Sequence, residues 1–424
     1  PLDCMGCTVC ANICPTKALT MVNQEEELAQ QDVFNYMVEN VTVKEDVADL
    51  TVKGSQFKKP LLEFSGSCAG CAETAYARLV TQVCGDRMYI SNATGCSSIY
   101  GGNLPSTPYT TDANGRGPAW ANSLFEDNAE FGLGFRLTVD QHRQRVMRLL
   151  SEFADKLPAE LNAALHTEAS PEARRQQVAE LRQALTGVEG AEELLTDADA
   201  LVEKSVWLIG GDGWAYDIGF GGLDHVLSLT ENVNILVLDT QCYSNTGGQA
   251  SKATPLGAVT KFGEHGKRKA RKDLGVSMMM YGHVYVAQIS LGAQLNQTVK
   301  AIQEAEAYPG PSLIIAYSPC EEHGYDLALS HDQMRQLTAT GFWPLYRFDP
   351  RRADEGKLPL ALDSRPPSDA LAETLLNEQR FRRLNAQQPE VAEQLWKDAA
   401  ADLQKRYDFL AQLAGKAEKP ATES

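Results

Sequence analysis

The chain has 424 residues, of which 39 are Lys or Arg and 56 are Asp or Glu, giving a formal net charge of −17. This acidity, without a long basic run, argues against nucleic acid or an anionic membrane as a main partner. The hydrophobic fraction of 43% is enough for packed cores in roughly two or three domains. No apolar run reaches the length of a membrane span and no signal peptide opens the chain, so we expect a cytoplasmic protein. Because the chain starts at Pro1 and a cysteine motif follows at once, we expect it to be part of a longer polypeptide.

The N-terminal cysteines Cys4, Cys7, Cys10 and Cys14 follow the spacing C-x2-C-x2-C-x3-C, and the next residue is proline. This is the bacterial ferredoxin spacing, in which three thiolates bind one [4Fe–4S] cluster and the fourth binds the other cluster of a pair. Two-residue spacings give strained disulfides, and zinc sites usually have two separated cysteine pairs. The run therefore predicts iron–sulfur ligation in residues 1–22, as the C-terminal part of a two-cluster ferredoxin-like domain.

A second cysteine set begins with the C-x2-C pair Cys68 and Cys71, followed at larger separations by Cys84, Cys96 and Cys320. A cluster needs four ligands, so one of these five thiols is surplus. Spacing alone does not decide between Cys84 and Cys96. The apolar neighbours of Cys84 also suit a plain buried thiol.

A glycine-rich centre follows two apolar runs. Residues 206–210 read as a buried strand that ends in G-D-G, residues 214–230 as a helix, and residues 233–238 as a second strand. Such a βαβ unit makes the two strands parallel and neighbouring. Asp212 and Thr240 then stand at the carboxyl ends of adjacent strands, where open α/β sheets bind ligands.

The residues at these strand ends are typical of a diphosphate held through a divalent metal. Asp212 offers a carboxylate, Thr240 a hydroxyl and Cys242 a backbone carbonyl, and Mg²⁺ prefers oxygen ligands beside phosphate oxygens. G-D-G alone is ordinary turn chemistry. G-D-G followed by a helix, a strand and the polar loop S-N-T-G-G indicates a thiamine diphosphate–Mg²⁺ site. A Rossmann dinucleotide site finds no support, because no strand is followed by G-x-G-x-x-G.

Several long stretches resemble the pyruvate:ferredoxin (flavodoxin) oxidoreductases. Among them are S-G-S-C-A-G-C-A-E-T, N-A-T-G-C-S-S-I-Y-G-G, G-D-G-W-A-Y-D-I-G-F-G-G and D-T-Q-C-Y-S-N-T-G-G-Q-A-S-K-A-T-P, within residues 60–350. The resemblance implies the C-terminal third of such an enzyme. It would comprise the end of the two-cluster ferredoxin domain and then the domain that binds thiamine diphosphate and the nearest cluster.

The resemblance also implies roles for individual residues. Cys68, Cys71, Cys96 and Cys320 would hold a [4Fe–4S] cluster, leaving Cys84 a bystander. Glu73 and Cys96 would touch the thiamine cofactor, and Asp212, Thr240 and the carbonyl of Cys242 would bind Mg²⁺. Two segments would wrap the diphosphate, namely Asp212, Gly213, Trp214 and Ala215, then Thr240, Gln241, Cys242, Tyr243, Ser244 and Asn245. Asn245 matches a residue near the substrate and is the catalytic candidate. The chain departs from the expected pattern at Ala72, where the family would have Gly.

The activity implied by this resemblance is oxidative decarboxylation of pyruvate to acetyl-CoA and CO2. Electrons would pass from thiamine diphosphate through [4Fe–4S] clusters to ferredoxin or flavodoxin, in a homodimer. The family supplies the carboxylate against the aminopyrimidine ring and the substrate arginine from other domains, so this chain alone should not turn over. The alternatives are a related 2-oxo acid oxidoreductase, a non-redox thiamine enzyme and a non-catalytic iron–sulfur electron-transfer module.

The expected fold class is α/β, a thiamine diphosphate-binding fold with a mostly parallel sheet flanked by helices. The main domain would cover residues 60–365, after a polar linker at 23–59. Residues 136–203 show helical periodicity, with His142 on the apolar face. We favour a helical insertion that packs on the core; the alternative is a lid.

Residues 366–424 would form a helical C-terminal arm, either solvated or clasped to a neighbouring subunit. The basic run 267–272 is interpreted as a solvated surface, with docking of an acidic ferredoxin as the alternative.

Overall fold

An eight-stranded sheet forms the centre of the computed structural model, which describes residues 4–41, 51–102, 106–368 and 370–416 together with Leu2 and Val47. The strands are β1 Met88–Ala93, β2 Ala119–Ser123, β3 Ser205–Gly211, β4 Asn234–Asp239, β5 Tyr285–Ile289, β6 Ser312–Tyr317, β7 Tyr346–Phe348 and β8 Leu360–Leu362. Their order is β2-β1-β3-β4-β6-β5-β7-β8. All pairs from β2 to β5 are parallel, and β7 pairs antiparallel with both β5 and β8 at one edge. The expected mostly parallel α/β fold is confirmed.

Helices cover both faces of this sheet. In chain order the α-helices of the described ranges are α1 Val9–Ile13, α2 Gln30–Asn40, α3 Val52–Ser55, α4 Glu73–Cys84, α5 Cys96–Gly101, α6 Asn128–Glu152, α7 Ala159–Leu165, α8 Pro171–Leu185, α9 Glu192–Asp197, α10 Phe220–Ser228, α11 Leu274–Met279, α12 Leu295–Glu306, α13 Ser330–Ala339, α14 Leu371–Leu375, α15 Gln379–Gln387 and α16 Pro389–Leu413. Within these ranges, no helix is both long enough and apolar enough to span a membrane.

The two predicted strands of the glycine-rich centre are β3 and β4, which pair in parallel as expected. Every residue of β4 is buried, because helices cover the sheet on both sides. Side chains alternate between the two faces of a strand. In β3, Val206 and Leu208 therefore enter one hydrophobic cluster, while Trp207 and Ile209 enter the other. The helix predicted after β3 begins with a π-helical turn, Gly213–Ile218, and continues as α10.

The insertion expected at residues 136–203 is helical and builds a core of its own. Val146, Leu150, Leu181 and Leu194 are fully buried or nearly so in this small core. His142, which we placed on the same apolar face, is instead exposed. The start of α8 is capped as its sequence predicts, since the hydroxyl of the residue before the helix accepts a hydrogen bond from the first turn.

The segments on either side of the main domain contain more structure than the sequence suggested. The expected linker includes α2 and α3. The C-terminal helices α14 to α16 pack on the main core, where Phe381, Leu384, Ala392 and Leu410 are completely buried. A solvated arm is therefore excluded for these helices.

Helix α6 approaches β3 so closely that only glycine fits at one position. A Cβ atom at Gly132 would lie 2.3 Å from Cγ of Leu208, whereas a Cβ at Gly134 of the same helix would meet no atom within 4 Å. We expect Gly132→Ala to lower the free energy of unfolding by about 1–3 kcal/mol through overpacking. Gly134→Ala is the control and should raise it by up to about 1 kcal/mol through helix propensity. Urea unfolding of both variants measures the difference, and equal effects would contradict the close contact.

Candidate functional site

Asp212 and Thr240 directly follow the last residues of β3 and β4. They lie at the same edge of the sheet, because the two strands are parallel with Gly211 opposite Leu238. Both residues are buried. The hydroxyl Oγ1 of Thr240 lies 3.0 Å from Oδ1 of Asp212 and 3.0 Å from the carbonyl oxygen of Cys242. The predicted side chains therefore meet at the carboxyl edge of the sheet.

The distances from Thr240 Oγ1 to the other two oxygens match the spacing of neighbouring ligands around a small cation. Mg²⁺ binds oxygens at about 2.0–2.1 Å in an octahedron, which puts neighbouring ligand oxygens about 2.9 Å apart. The single hydroxyl hydrogen of Thr240 also cannot serve the carboxylate and the carbonyl together. The other carboxylate oxygen of Asp212 accepts a hydrogen bond from the Ser251 hydroxyl, which fixes the orientation of the carboxylate. The residues present thus fit a hard divalent cation.

A cleft opens beside these oxygens and includes most of the residues predicted to contact the cofactor. The predicted residues in its wall are Glu73, Cys96, Asp212, Gly213, Trp214, Thr240, Cys242, Tyr243, Ser244 and Asn245. The wall also contains Thr94, Gly95, Ser97, Phe125, Gly211 and Thr246. Sequence reasoning gave these last residues no role, although some lie in the stretches that carry the family resemblance.

Gly213 lets two parts of the wall touch. A Cβ atom at Gly213 would lie 2.4 Å from the ring of Tyr243, so any side chain there would push the polar loop away. Asn245, the catalytic candidate, lies in the wall and is exposed at the rim.

Two of the predicted cofactor contacts are not in the wall. Ala215 is completely buried beneath it. Gln241 is also completely buried, with a left-handed φ of 62°, and its side-chain oxygen accepts a hydrogen bond from Arg380 at 2.7 Å. The side chain of Gln241 therefore anchors the loop to α15 rather than facing the cleft.

Glu73 presents a buried carboxyl group to the cleft. It is only 4% exposed, and within the described residues its Oε2 atom has no hydrogen-bond partner. Burial, followed by the nearby charges of Cys320 and Asp212, raises the pKa of Glu73 to about 8. At neutral pH the group therefore holds a proton that it can donate to an acceptor in the cleft.

Cys68, Cys71, Cys96 and Cys320 converge next to the cleft. Burial raises the pKa of Cys96 well above its usual range, and the charges of Glu73, Cys320, Cys71 and Cys68 add to this effect in that order. Each of these groups must therefore lie near the Cys96 thiol.

Cys84 lies elsewhere. It is 1% exposed in the hydrophobic cluster under α4, and its thiol donates to the carbonyl of Val80 at 3.5 Å. Burial, followed by the charge of Glu306, raises the pKa of the Cys84 thiol. The fold thus groups Cys96, and not Cys84, with the other three thiols.

The grouping is too wide for one metal ion. In the described part of the chain, no three His, Cys, Asp or Glu side chains are close enough to ligate a single ion. In a [4Fe–4S] cluster each thiolate binds a different iron, so its ligands surround a larger body. All ten cysteines are free thiols, so no disulfide prevents the predicted ligands from binding a cluster.

Of the N-terminal cysteines, Cys10 lies in the short helix α1 and the other three lie just before or after it. Cys4 and Cys10 are exposed, while Cys7 and Cys14 are half-buried. Hydrogen bonds from Thr16 and then from the backbone of the following turn lower the pKa of Cys14 to about 7, which favours the thiolate needed for iron binding. This segment touches the main domain, where the Asn12 amide donates to the Ala328 carbonyl at 3.1 Å.

Comparisons with known proteins agree with this geometry. A family profile described as "Thiamine pyrophosphate enzyme, C-terminal TPP binding domain" matches residues 184–316, which include β3 and β4. Over 435 residues the chain is 78% identical to the probable pyruvate-flavodoxin oxidoreductase of Escherichia coli (strain K12), covering 100% of this chain and 37% of that protein. It is 52% identical to the pyruvate-flavodoxin oxidoreductase of Rhodospirillum rubrum, covering 99% of this chain and 36% of that protein.

The chain is related along its whole length to one part of the pyruvate–flavodoxin oxidoreductases. The same holds for the pyruvate:ferredoxin oxidoreductase of Moorella thermoacetica, at 49% identity over 98% of this chain and 37% of that protein. The chain thus spans a little over a third of the length of these relatives. A solved 2-oxoglutarate:ferredoxin oxidoreductase from Magnetococcus marinus aligns with a TM-score of 0.39 at 15% identity, covering 67% of this chain and 72% of that one. That likeness is too weak to support a structural argument.

His323 connects the loop after β4 with the segment that carries Cys320. Its Nε2 atom lies 2.7 Å from the carbonyl oxygen of Thr240, and its backbone N–H donates to Cys320 at 3.0 Å. Because a carbonyl only accepts, Nε2 carries the hydrogen. The ring stacks between Tyr317 and Tyr325, with centroid distances of 6.2 and 6.5 Å. The contact between His323 and Thr240 joins residues 83 positions apart, so residue spacing does not reveal it.

His323 should make the fold sensitive to acid. Burial, followed by the charge of Arg380, lowers its pKa from 6.5 to about 4. Between these values the unfolded chain binds a proton that the folded chain does not, so the free energy of unfolding falls as pH falls. The expected slope is about 1.4 kcal/mol per pH unit. His323→Gln, whose amide can still donate to Thr240, should reduce this slope, and the exposed His142→Gln should not. Chemical unfolding of the three proteins from pH 7 to pH 4 measures the slopes; identical slopes would contradict the assignment.

The basic run 267–272 was expected to be a solvated surface, and two of its members are not. The Lys267 ammonium donates to the carbonyls of Ser251 and Thr254 at 2.8 and 2.7 Å. Arg271 forms an ion pair with the buried Asp239 at 2.8 Å. The periodicity of the run could not reveal these contacts, because their partners lie outside the run, in and near the loop behind the cleft. The run therefore helps to hold in place the loop behind the cleft and the end of β4.

Proposed function

We propose that this chain is the thiamine-binding and cluster-binding part of an oxidoreductase that decarboxylates pyruvate and transfers the acyl group to coenzyme A. Electrons would leave through [4Fe–4S] clusters to flavodoxin or ferredoxin. One observation carries the proposal: the cleft that contains the Asp212, Thr240 and Cys242 oxygens also contains Cys96, one of four converging thiols. A diphosphate site and an electron acceptor in one wall suit a cofactor that is oxidised where it is bound.

The residues of the sheet edge would hold the diphosphate end of the cofactor. Asp212, Thr240 and the Cys242 carbonyl would bind Mg²⁺, whose charge would offset that of the diphosphate. Gly213 keeps the polar loop close to this edge, and Ser244 adds a hydroxyl that lies 2.6 Å from Thr240 Oγ1. Thiamine diphosphate, when bound, supplies the electron sink that decarboxylation of a 2-oxo acid requires.

The thiol side of the cleft would hold the group that accepts electrons. Cys68, Cys71, Cys96 and Cys320 would hold a [4Fe–4S] cluster, which accepts electrons one at a time. Glu73 holds its proton at the cleft wall between this thiol group and Asp212, so it can donate a hydrogen bond to a ligand nitrogen or oxygen there. Asn245 at the rim would contact the substrate.

The wider organisation is also part of the proposal. Residues 1–22 would complete a two-cluster ferredoxin domain, with Cys4, Cys7, Cys10 and Cys14 as ligands. Residues 60–365 would form the thiamine domain and residues 366–424 a helical arm. The enzyme would act as a homodimer in the cytoplasm, where thiols stay reduced.

A viologen dye assay on the complete polypeptide that carries this chain tests the function. Purified anaerobically, it should be brown, bind thiamine diphosphate and reduce the dye only when pyruvate and coenzyme A are both present. 2-Oxoglutarate is the comparison substrate and should support slower reduction. A preference for 2-oxoglutarate would shift the proposal to a related 2-oxo acid oxidoreductase. Dye reduction that does not depend on any 2-oxo acid would favour a pure electron-transfer module.

A further inference from the structure

A fifth cysteine, Cys242, lies beside the four thiols that would hold a cluster next to the cleft. Those four are Cys68, Cys71, Cys96 and Cys320, and the cluster they would hold is named the cleft cluster. Each of the four thiols is exposed or half-buried, whereas Cys242 is only 6% exposed. Cys242 therefore lies behind the ligands rather than among them, and the proposed function uses only its backbone carbonyl.

Two hydrogen bonds of His323 hold the loop that carries Cys242 against the segment that carries Cys320. The Nε2 atom of His323 lies 2.7 Å from the carbonyl oxygen of Thr240, and its backbone N–H donates to the Cys320 carbonyl at 3.0 Å. Between these two anchors the side chain of Cys242 meets the side chain of Cys320. Because other groups hold the two segments together, we expect both to keep their positions when the Cys242 side chain is shortened.

Three hydrogen-bond donors lie next to the sulfur of Cys320. They are the Cys242 thiol, the Ser244 hydroxyl and the backbone N–H of Glu322. The Ser244 hydroxyl also lies 2.6 Å from Oγ1 of Thr240, so its single hydrogen has a second acceptor. A sulfur bound to iron carries no hydrogen, so in the contact between the two cysteines only Cys242 can donate.

The Cys242 hydrogen has a choice of two acceptors, and the charge of the Cys320 sulfur decides between them. The other acceptor is the Ser244 oxygen, at 3.6 Å from the Cys242 sulfur. A hydrogen bond to a charged acceptor is about twice as strong as one to a neutral acceptor. Burial of Cys242 also keeps water from competing for the same hydrogen.

A donor to a ligand sulfur favours the reduced form of a cluster. One-electron reduction adds negative charge to the cluster and its ligand sulfurs, which makes each sulfur a better acceptor. Hydrogen bonds to the sulfurs are therefore among the properties that set the reduction potential of an iron–sulfur cluster.

We propose that the Cys242 thiol raises the reduction potential of the cleft cluster by donating a hydrogen bond to the sulfur of Cys320. The inference rests on the proposed function in one respect, namely that the four thiols hold a cluster. Cys242 acts through Cys320 and does not bind iron itself. Its carbonyl would contact the cation while its thiol contacts the cluster ligand, so one residue links the two sides of the site.

A redox titration of the complete polypeptide, followed by electron paramagnetic resonance of the reduced clusters, tests this inference. Cys242→Ala removes the donor and should lower the ratio of reduced to oxidised cleft cluster at a fixed potential at least about threefold. Cys242→Ser keeps a donor and should recover most of this loss. Cys84→Ala is the matched control, because Cys84 is a buried thiol that donates to the Val80 carbonyl instead, and it should shift no cluster.

Cys320→Ser identifies which resonance belongs to the cleft cluster, because this variant should lose that cluster and keep the others. Adding Cys242→Ala to Cys320→Ser should leave the potentials of the remaining clusters as they are in Cys320→Ser alone. If Cys242→Ala loses iron, Cys242→Val fills the space of the thiol without a donor and takes its place, with the same expected shift.

Two outcomes would overturn the inference alone. One is an unchanged potential of the cleft cluster in the donor-free variant with its iron complete, and the other is an equal shift in Cys242→Ser. A shift of the clusters that survive in Cys320→Ser would also contradict it. If Cys320→Ser instead kept all its iron, the cluster ligands would be wrong and the proposed function would fail with them.

Discussion

Asp212→Asn is expected to lower the affinity for thiamine diphosphate with Mg²⁺ by at least about 100-fold, which is about 2.7 kcal/mol. The substitution removes the charge that the cation requires while it keeps the shape of a completely buried side chain. The fold should survive, because Thr240 can still donate to the amide oxygen and the Ser251 hydroxyl can accept from the amide nitrogen. Quenching of tryptophan fluorescence reports binding, since Trp214 lies in the cleft wall.

The control for Asp212→Asn is the same exchange at Asp224, on α10 and outside the cleft wall. Among the described side chains, only the Tyr281 hydroxyl donates to Asp224, at 2.8 Å. Asp224→Asn should bind the cofactor like the parent protein. Both variants should keep the visible absorbance of the clusters. If Asp212→Asn retained parental affinity, the assignment of Asp212 to the metal would be wrong.

Cys320→Ser is expected to remove one cluster, or about four irons per chain, whereas Cys84→Ser should remove none. The Cys242 thiol donates to Cys320 and lowers the pKa of Cys320 below the usual thiol range, which favours the thiolate that iron binds. A serine hydroxyl does not ionise there and is a poorer iron ligand. Cys84 stays in the hydrophobic cluster, where a serine hydroxyl can still donate to Val80.

Iron and acid-labile sulfide content of the two cysteine variants measure this effect directly. Because Cys320 is outside the cleft wall, Cys320→Ser should still bind thiamine diphosphate, and this separates cluster loss from unfolding. Dye reduction with pyruvate should fall with the iron content. Full iron content in Cys320→Ser, or loss of iron in Cys84→Ser, would contradict the ligand set.

The meeting of Asp212 and Thr240 at one edge of the sheet was predictable because it depends on residues close together in the sequence. Each strand is an apolar run, and Asp212 and Thr240 each follow the end of one. Parallel pairing of consecutive strands then brings both residues to one edge. At Gln241 the backbone is left-handed with φ 62°, and the side chain extends toward Arg380. Residue spacing within a loop does not reveal where the backbone becomes left-handed.

The sequence by itself determined the class of fold, the strand ends that carry the oxygen ligands and the cysteine spacing of the ferredoxin segment. Each of these depends on residues close together in the chain. Only the tertiary structure placed Cys84 in a hydrophobic cluster, set His323 against Thr240 and paired Arg271 with the buried Asp239. These choices are contacts between distant segments, and side-chain type and periodicity carry no record of which distant segment a residue will meet.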